Sequence, residues 1–286
     1  MRTRANRVLR YRADARSVIV VVGTLALLAA QWSGAVRHPL VFAASLALCF
    51  TSCVVNHNHQ HCPIFVPALG NRVFGVLVAL VTGQPARAIV PMHIGNHHAH
   101  NNDDRDFVRT TLVRSRWNLL NLVVFPFVAI ARYARVKSAD LERWRTAHPS
   151  AYRQLRLERM VLYPVLVAAL VFRPVDTLVF LAVPYLFGQW AIIAINLVQH
   201  DGCDPTSRYN HSRNHVGRFL NWCLFNNGYH TAHHLRPGLH WSELPKFHRE
   251  IASRIHPQLG SRSLLLNLAR LYVWPGRRPR AEELIS

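Results

Sequence analysis

The residues best suited to chemistry are histidines, and they fall in three clusters. These are His57-Asn58-His59-Gln60-His61, His93-Ile94-Gly95-Asn96-His97-His98 and His230-Thr231-Ala232-His233-His234. On a helix, side chains at i, i+3 and i+4 share a face. His57 and His61 are four apart, His93 and His97 likewise, and His230, His233 and His234 cover all three spacings. The spacing predicts that each cluster aims two or three imidazoles at one point, and neutral imidazole is a common ligand of iron, zinc, copper and nickel. With His98, the set exceeds what one tetrahedral zinc uses. Two metal ions are the economical explanation. No Asp or Glu lies inside any cluster, so the donors are all nitrogen. Burying so many imidazoles together is costly unless each has a partner.

Other polar residues are weighed against this set. His200 ends the last long apolar run, and Asn196 lies one helical turn earlier on the same face. Both are expected near the clusters, with Asn196 placed to hold a water on the metal. His59 and His100 sit off the ligating register and read as supporting or solvated residues. His38, His148, His211, His215, His248 and His256 read as interfacial histidines. Asp103, Asp104, Asp106 and Asp201 are candidates to orient a ligating ring through its second nitrogen, or to pair with a nearby Arg. Trp241 and His240 are candidate substrate or interface contacts.

The elements that must position these histidines are apolar. Half of the 286 residues are hydrophobic, and uncharged runs occupy 17–36, 39–56 and 177–199. Each is close to the ~20 residues that cross ~30 Å of hydrocarbon. The first run is too long for the apolar core of a signal peptide, and another follows at once, so it is expected to remain as a membrane helix. The chain carries 34 Lys+Arg against 14 Asp+Glu. The Arg residues flank apolar spans instead of forming one exposed module, which argues against nucleic acid and for the positive-inside bias of cytoplasmic segments. Residues 1–16 hold six Arg and one Asp, and 132–159 hold eight Lys+Arg and three acids, a net of +5. The five cysteines are odd in number and unpaired in spacing, which argues for reduced thiols.

If the three clusters build one site, all must lie on one side of the membrane. The fold expected is all-α, with four spans at about 17–36, 39–56, 160–172 and 177–199. The 13-residue run 160–172 needs Arg159 and Arg173 to snorkel to the interfaces. The apolar stretch 63–82 is expected to be an interfacial helix, and 117–131 to be interfacial or re-entrant. A basic N-terminus, 1–16, and a histidine-rich cap, 57–159 and 200–286, then face the cytoplasm. The whole of 1–286 is read as a single membrane domain.

With its three clusters reading HNHQH, HIGNHH and HTAHH, the chain resembles the membrane fatty acid desaturase and hydroxylase superfamily, whose boxes have the forms HxxxH, Hxx(x)HH and HxxHH. Asn226-Asn227-Gly228-Tyr229 before the last box, Leu235-Arg236-Pro237-Gly238 after it, and the order of spans and boxes agree over roughly 15–260. The resemblance implies two iron ions held by His57, His61, His93, His97, His98, His230, His233 and His234. It adds His200, preceded by Asn196, which matches the extra pair of the acyl-CoA branch. It also implies O2 as co-substrate, two electrons per turnover, a lipid or acyl-chain substrate and hydrogen removal from an unactivated methylene.

The His-Pro pairs lack the His-Pro-Gly-Gly motif of fused cytochrome modules. The electrons are therefore expected from a separate donor, such as a ferredoxin or small haem protein with its reductase. An acidic carrier would dock on the basic face, with binding that weakens in salt. An acyl desaturase is the favoured outcome. A lipid or carotenoid hydroxylase or ketolase is the alternative, and a non-catalytic membrane metal-binding protein the reading from another class.

Overall fold

The computed structural model describes residues 7–273, so the first part of the basic N-terminus and the end of the cap lie outside the described residues. The chain forms two compact units, Met1–Val90 with Asp140–Gln189, and Pro91–Ala139 with Trp190–Ser286. It is mostly helical, with almost no strand. Among the described residues the only sheet is a two-residue parallel pairing of β1 (Asn214–His215) with β2 (Gly260–Ser261).

In the first unit, α1 (Ala15–Ser33) stops where Gly34 adopts a left-handed φ of 85°. Pro39 opens α2 (Pro39–His61), and His38 Nδ1 accepts the Leu40 N–H. α3 (Ala68–Thr82) follows, then α4 (Ile89–Met92), a π-turn at His93–His97 and α5 (His98–His100). The long α6 (Asn118–Ala147) leads to α7 (Pro149–Phe172). After α8 (Pro174–Thr177) and a second π-turn at Leu178–Ala182 comes α9 (Val183–His200).

Among the described residues, three helical segments are long and apolar enough to cross a membrane: Arg12–Ser33, Pro39–His61 and Pro174–His200. A fourth is counted if the bent pair Ala68–Thr82 and Ala86–His100 forms one span. This all-α membrane architecture is the expected one, but its fourth candidate is placed differently. Residues 160–172 form only the apolar half of α7, whose first half carries Arg153, Arg156, Glu158 and Arg159. Residues 63–82, expected at the interface, include the first limb of the bent pair.

Polar side chains among apolar helices need partners, because lipid supplies none. Thr24 and Ser52 join α1 to α2 at 3.3 Å, and Gln189 Nε2 donates to the Thr82 carbonyl. At the histidine end of α2, Asn56 Nδ2 donates to the Ala86 carbonyl, and Gln60 Nε2 to Asn56 Oδ1. The buried Glu158 accepts the Arg87 N–H at 2.9 Å. The first histidine cluster and the chain leading to the second are thus tied at both ends of one short segment.

Gly188 permits a close helix approach, since a Cβ there would stand 2.9 Å from the Cys49 carbonyl carbon. The obstacle is backbone and cannot rotate away. Gly188→Val is expected to cost about 1–3 kcal/mol through forced separation of α9 and α2. A lowered thermal midpoint in detergent checks this, and an unchanged midpoint would contradict it.

The second unit carries two apolar cores. Val108, Phe125, Ala129, Leu197, Val198 and Tyr272 form one. Cys203, Ala232, Leu244, Ile251, Ile255 and Leu259 form the other. Around them lie α10 (Arg218–Cys223), α11 (His230–Leu235), α12 (Leu244–Ile251) and α13 (Leu264–Leu268).

Candidate metal centre

In the second unit the histidines form two groups. His97, His200, His230 and His234 offer ring nitrogens that all lie within 4.8 Å of one another. His230 Nε2 is 2.8 Å from His200 Nε2 and 3.1 Å from His234 Nε2. In the other group, His98 Nε2 is 3.1 Å from both His93 Nε2 and His233 Nε2. The groups adjoin, with the His98 and His234 rings stacked at 4.4 Å between centroids. In the first unit, His57 and His61 occupy the last turn of α2 with ring centroids 4.9 Å apart.

The partition differs from the one read from spacing. His93 was expected to share a face with His97 and instead meets His98, five residues on. The cause is the π-turn over His93–His97, whose wider pitch brings i and i+5 together and sends His97 to the other group. The last cluster divides as well. On α11, His230 and His234 are one regular turn apart and stay together, whereas His233 faces the other group. The second and third boxes therefore each serve both groups.

Two hydrogen bonds fix the ring tautomers. His97 Nδ1 is 2.7 Å from Asp106 Oδ2, both side chains being buried. Burial alone would raise the Asp106 pKa. The His97 contact and the Val108 and Asn102 N–H groups outweigh it and hold the carboxyl below its ordinary range. The ionised Asp106 accepts from Nδ1–H, which leaves Nε2 of His97 as a lone-pair donor. That Nε2 is buried and has no protein partner, which fits a cation at the centre of the group. His200 Nδ1 donates in the same way to the His211 carbonyl at 3.0 Å. Burial and the nearby His230, His98, His200 and His97 rings push His234 well below the usual imidazole range. It is held neutral, in the ligating form.

Asp106 is the acid that the fold selects from the three candidates after the second box. Asn101 and Asn102 take positive φ angles of 40° and 71°, turning the chain back on itself. Asn96 then accepts the Phe107 N–H and donates to the Arg105 carbonyl, which closes the loop on the box. Asp103 instead pairs with Arg105 at the surface. Partners of this kind typically contribute 10–100-fold in metal affinity. Asp106→Asn is accordingly expected to release metal to a chelator about 10–100-fold more readily than wild type. Equal chelator sensitivity would deny Asp106 this role.

Asn196 donates Nδ2 to the Val108 carbonyl at 3.4 Å, one turn before His200. His211 and His215 are not interfacial. They are 4% and 0% exposed, and the His211 ring lies tilted against that of His234, 5.3 Å between centroids. Nothing in their spacing gives this away, because both follow the non-helical stretch after His200. His59 is buried against Phe74. His148 is exposed, as expected of a surface histidine.

Apolar helices of spanning length and two adjoining imidazole groups define a membrane protein with a histidine centre of metal-binding geometry. Residues 30–263 match the fatty acid desaturase family, and the chain belongs to that family. It is an oxygen-dependent oxidoreductase of the desaturase and hydroxylase type, acting on lipid in a membrane context. No curated protein and no solved structure matches the chain.

Proposed function

We propose that the chain is a membrane fatty acyl desaturase whose nine histidines hold two iron ions. Within the second unit, His97, His200, His230 and His234 serve one ion and His93, His98 and His233 the other, and the resemblance to the family adds His57 and His61 to the ligand set. The observation that carries this reading is the buried four-histidine group, with its orphaned His97 nitrogen and its two tautomer-fixing hydrogen bonds. An all-imidazole donor set suits iron among other transition metals, and the family favours iron. When bound, the pair would supply the reduction of dioxygen that removes hydrogen from unactivated carbon.

The protein's own contribution is placement and exclusion of water. The His97 and His200 rings are held by Asp106 and by the His211 carbonyl before any substrate arrives, which limits the reorganisation needed at the moment of reaction. Holding one methylene of an acyl chain beside the centre sets which bond is oxidised. Asn196 lies one turn from His200 and is assigned to hold a water at that ion. Electrons come from a separate donor of the ferredoxin or small haem-protein class with its reductase. The basic segments at 1–16 and 132–159 support a cytoplasmic active site and a docking face for that donor.

Extracted lipids from cells expressing wild type and His233→Ala, compared by mass spectrometry, test the reading. A wild-type-only loss of two mass units on an acyl chain is expected. A gain of sixteen would replace desaturation by hydroxylation.

A further inference from the structure

The first unit holds an apolar groove that the histidine chemistry does not use. Its volume is about 350 Å³, and Leu28, Trp32, Leu80, Val165, Ala168 and Tyr185 are among its walls. Built small-molecule sites span roughly 300–1,000 Å³. The polar atoms in the walls are already engaged. Tyr185 Oη donates to the Leu80 carbonyl at 2.6 Å, and Trp32 Nε1 to Thr177 Oγ1 at 2.8 Å. The groove therefore offers contact to hydrocarbon and little else.

A charged cluster stands beside it. Arg37 and Arg173 both reach Asp176, at 2.6 and 2.8 Å. Arg173 also donates to the Ser33 carbonyl, and its guanidinium lies 5.8 Å over the ring of Trp32, a groove wall. Two guanidinium groups against one carboxylate leave a net charge of +1 at the mouth. The cluster sits at the Pro39 end of α2. His57 lies eighteen residues further along that helix, or ~27 Å at 1.5 Å per residue. A headgroup held at this cluster is thus placed at the end of α2 opposite its histidines.

We propose that the groove binds the acyl chain of an anionic phospholipid whose headgroup pairs with Arg37 and Arg173. The apolar walls select a hydrocarbon chain, and the residual positive charge selects the headgroup.

The test is native mass spectrometry of the full-length protein in detergent, titrated with phosphatidylglycerol or phosphatidylcholine of identical chains. Wild type is expected to retain one phosphatidylglycerol at about fivefold lower concentration than phosphatidylcholine, the effect of about one favourable charge at a membrane surface. Ala168→Phe fills the groove from an exposed wall position and should lose retention of both lipids. Arg37→Gln should retain the two equally. Val171→Phe, exposed on the same helix but outside the walls, should behave as wild type. Equal retention of both lipids by wild type, retention of neither, or wild-type behaviour of Ala168→Phe would overturn the proposal. The readout depends on neither metal nor turnover, so it stands or falls apart from the proposed activity.

Discussion

His97→Ala and His233→Ala each leave a chain that inserts into the membrane but makes less than about 1% of the wild-type product. One histidine comes from each imidazole group of the second unit. Removing a residue that merely orients a ligand already costs about 10–100-fold in metal affinity, so loss of the ligand itself must cost more. Both side chains are buried, and an alanine leaves a pocket lined by other imidazoles that cannot donate a replacement electron pair from the same position. His148→Ala is the comparison, because that ring is exposed at the start of α7. It should be close to silent. Equal damage from His148→Ala and His233→Ala, measured as product per unit of inserted protein, would show that the ligands are wrongly assigned.

His200→Ala is expected to be as damaging as the box substitutions, although His200 belongs to no box. Its ring is fully buried, and its Nε2 stands 2.8 Å from that of His230. The bond that sets its tautomer goes to the backbone carbonyl of His211. Changing the side chain at 211 leaves that carbonyl in place. His211→Gln should therefore keep most of the product and metal that His200→Ala loses. Product and metal content measured together on the two variants check this. A silent His200→Ala would remove the ninth ligand from the account.

The parts of the fold legible in the sequence are those that a simple period can carry. The uncharged runs 39–56 and 177–199 lie within the helical segments Pro39–His61 and Pro174–His200, and the run 17–36 outlasts its helix, which ends at Ser33. The run 160–172 was less legible. Its helix begins in a charged segment, so its apolar length understates the element that contains it. In the candidate centre, spacing points to the box histidines but carries no information on their grouping. A rule of four residues pairs His93 with His97, and the π-turn pairs His93 with His98. Nothing in HIGNHH announces that wider turn.

Tertiary folding decided the rest. Asp103, Asp104 and Asp106 are equivalent as letters. Only the turn at Asn101 and Asn102 and the clamp from Asn96 bury Asp106 against His97. His211 and His215 read as surface residues because no period marks the loop that carries them. Their burial follows from packing in the second unit, where Arg213 N–H bonds the Gln199 carbonyl and His215 N–H the Gly228 carbonyl.

The central claim is that these imidazoles form a two-iron centre, and metal analysis of the purified full-length protein tests it most directly. Protein from iron-supplied cells is expected to hold about two iron ions per chain, the economical number for nine nitrogen donors. The double variant His97→Ala/His98→Ala, which removes one ligand from each group, should hold little. A single zinc per chain, or no metal in a folded wild-type protein, would contradict the account.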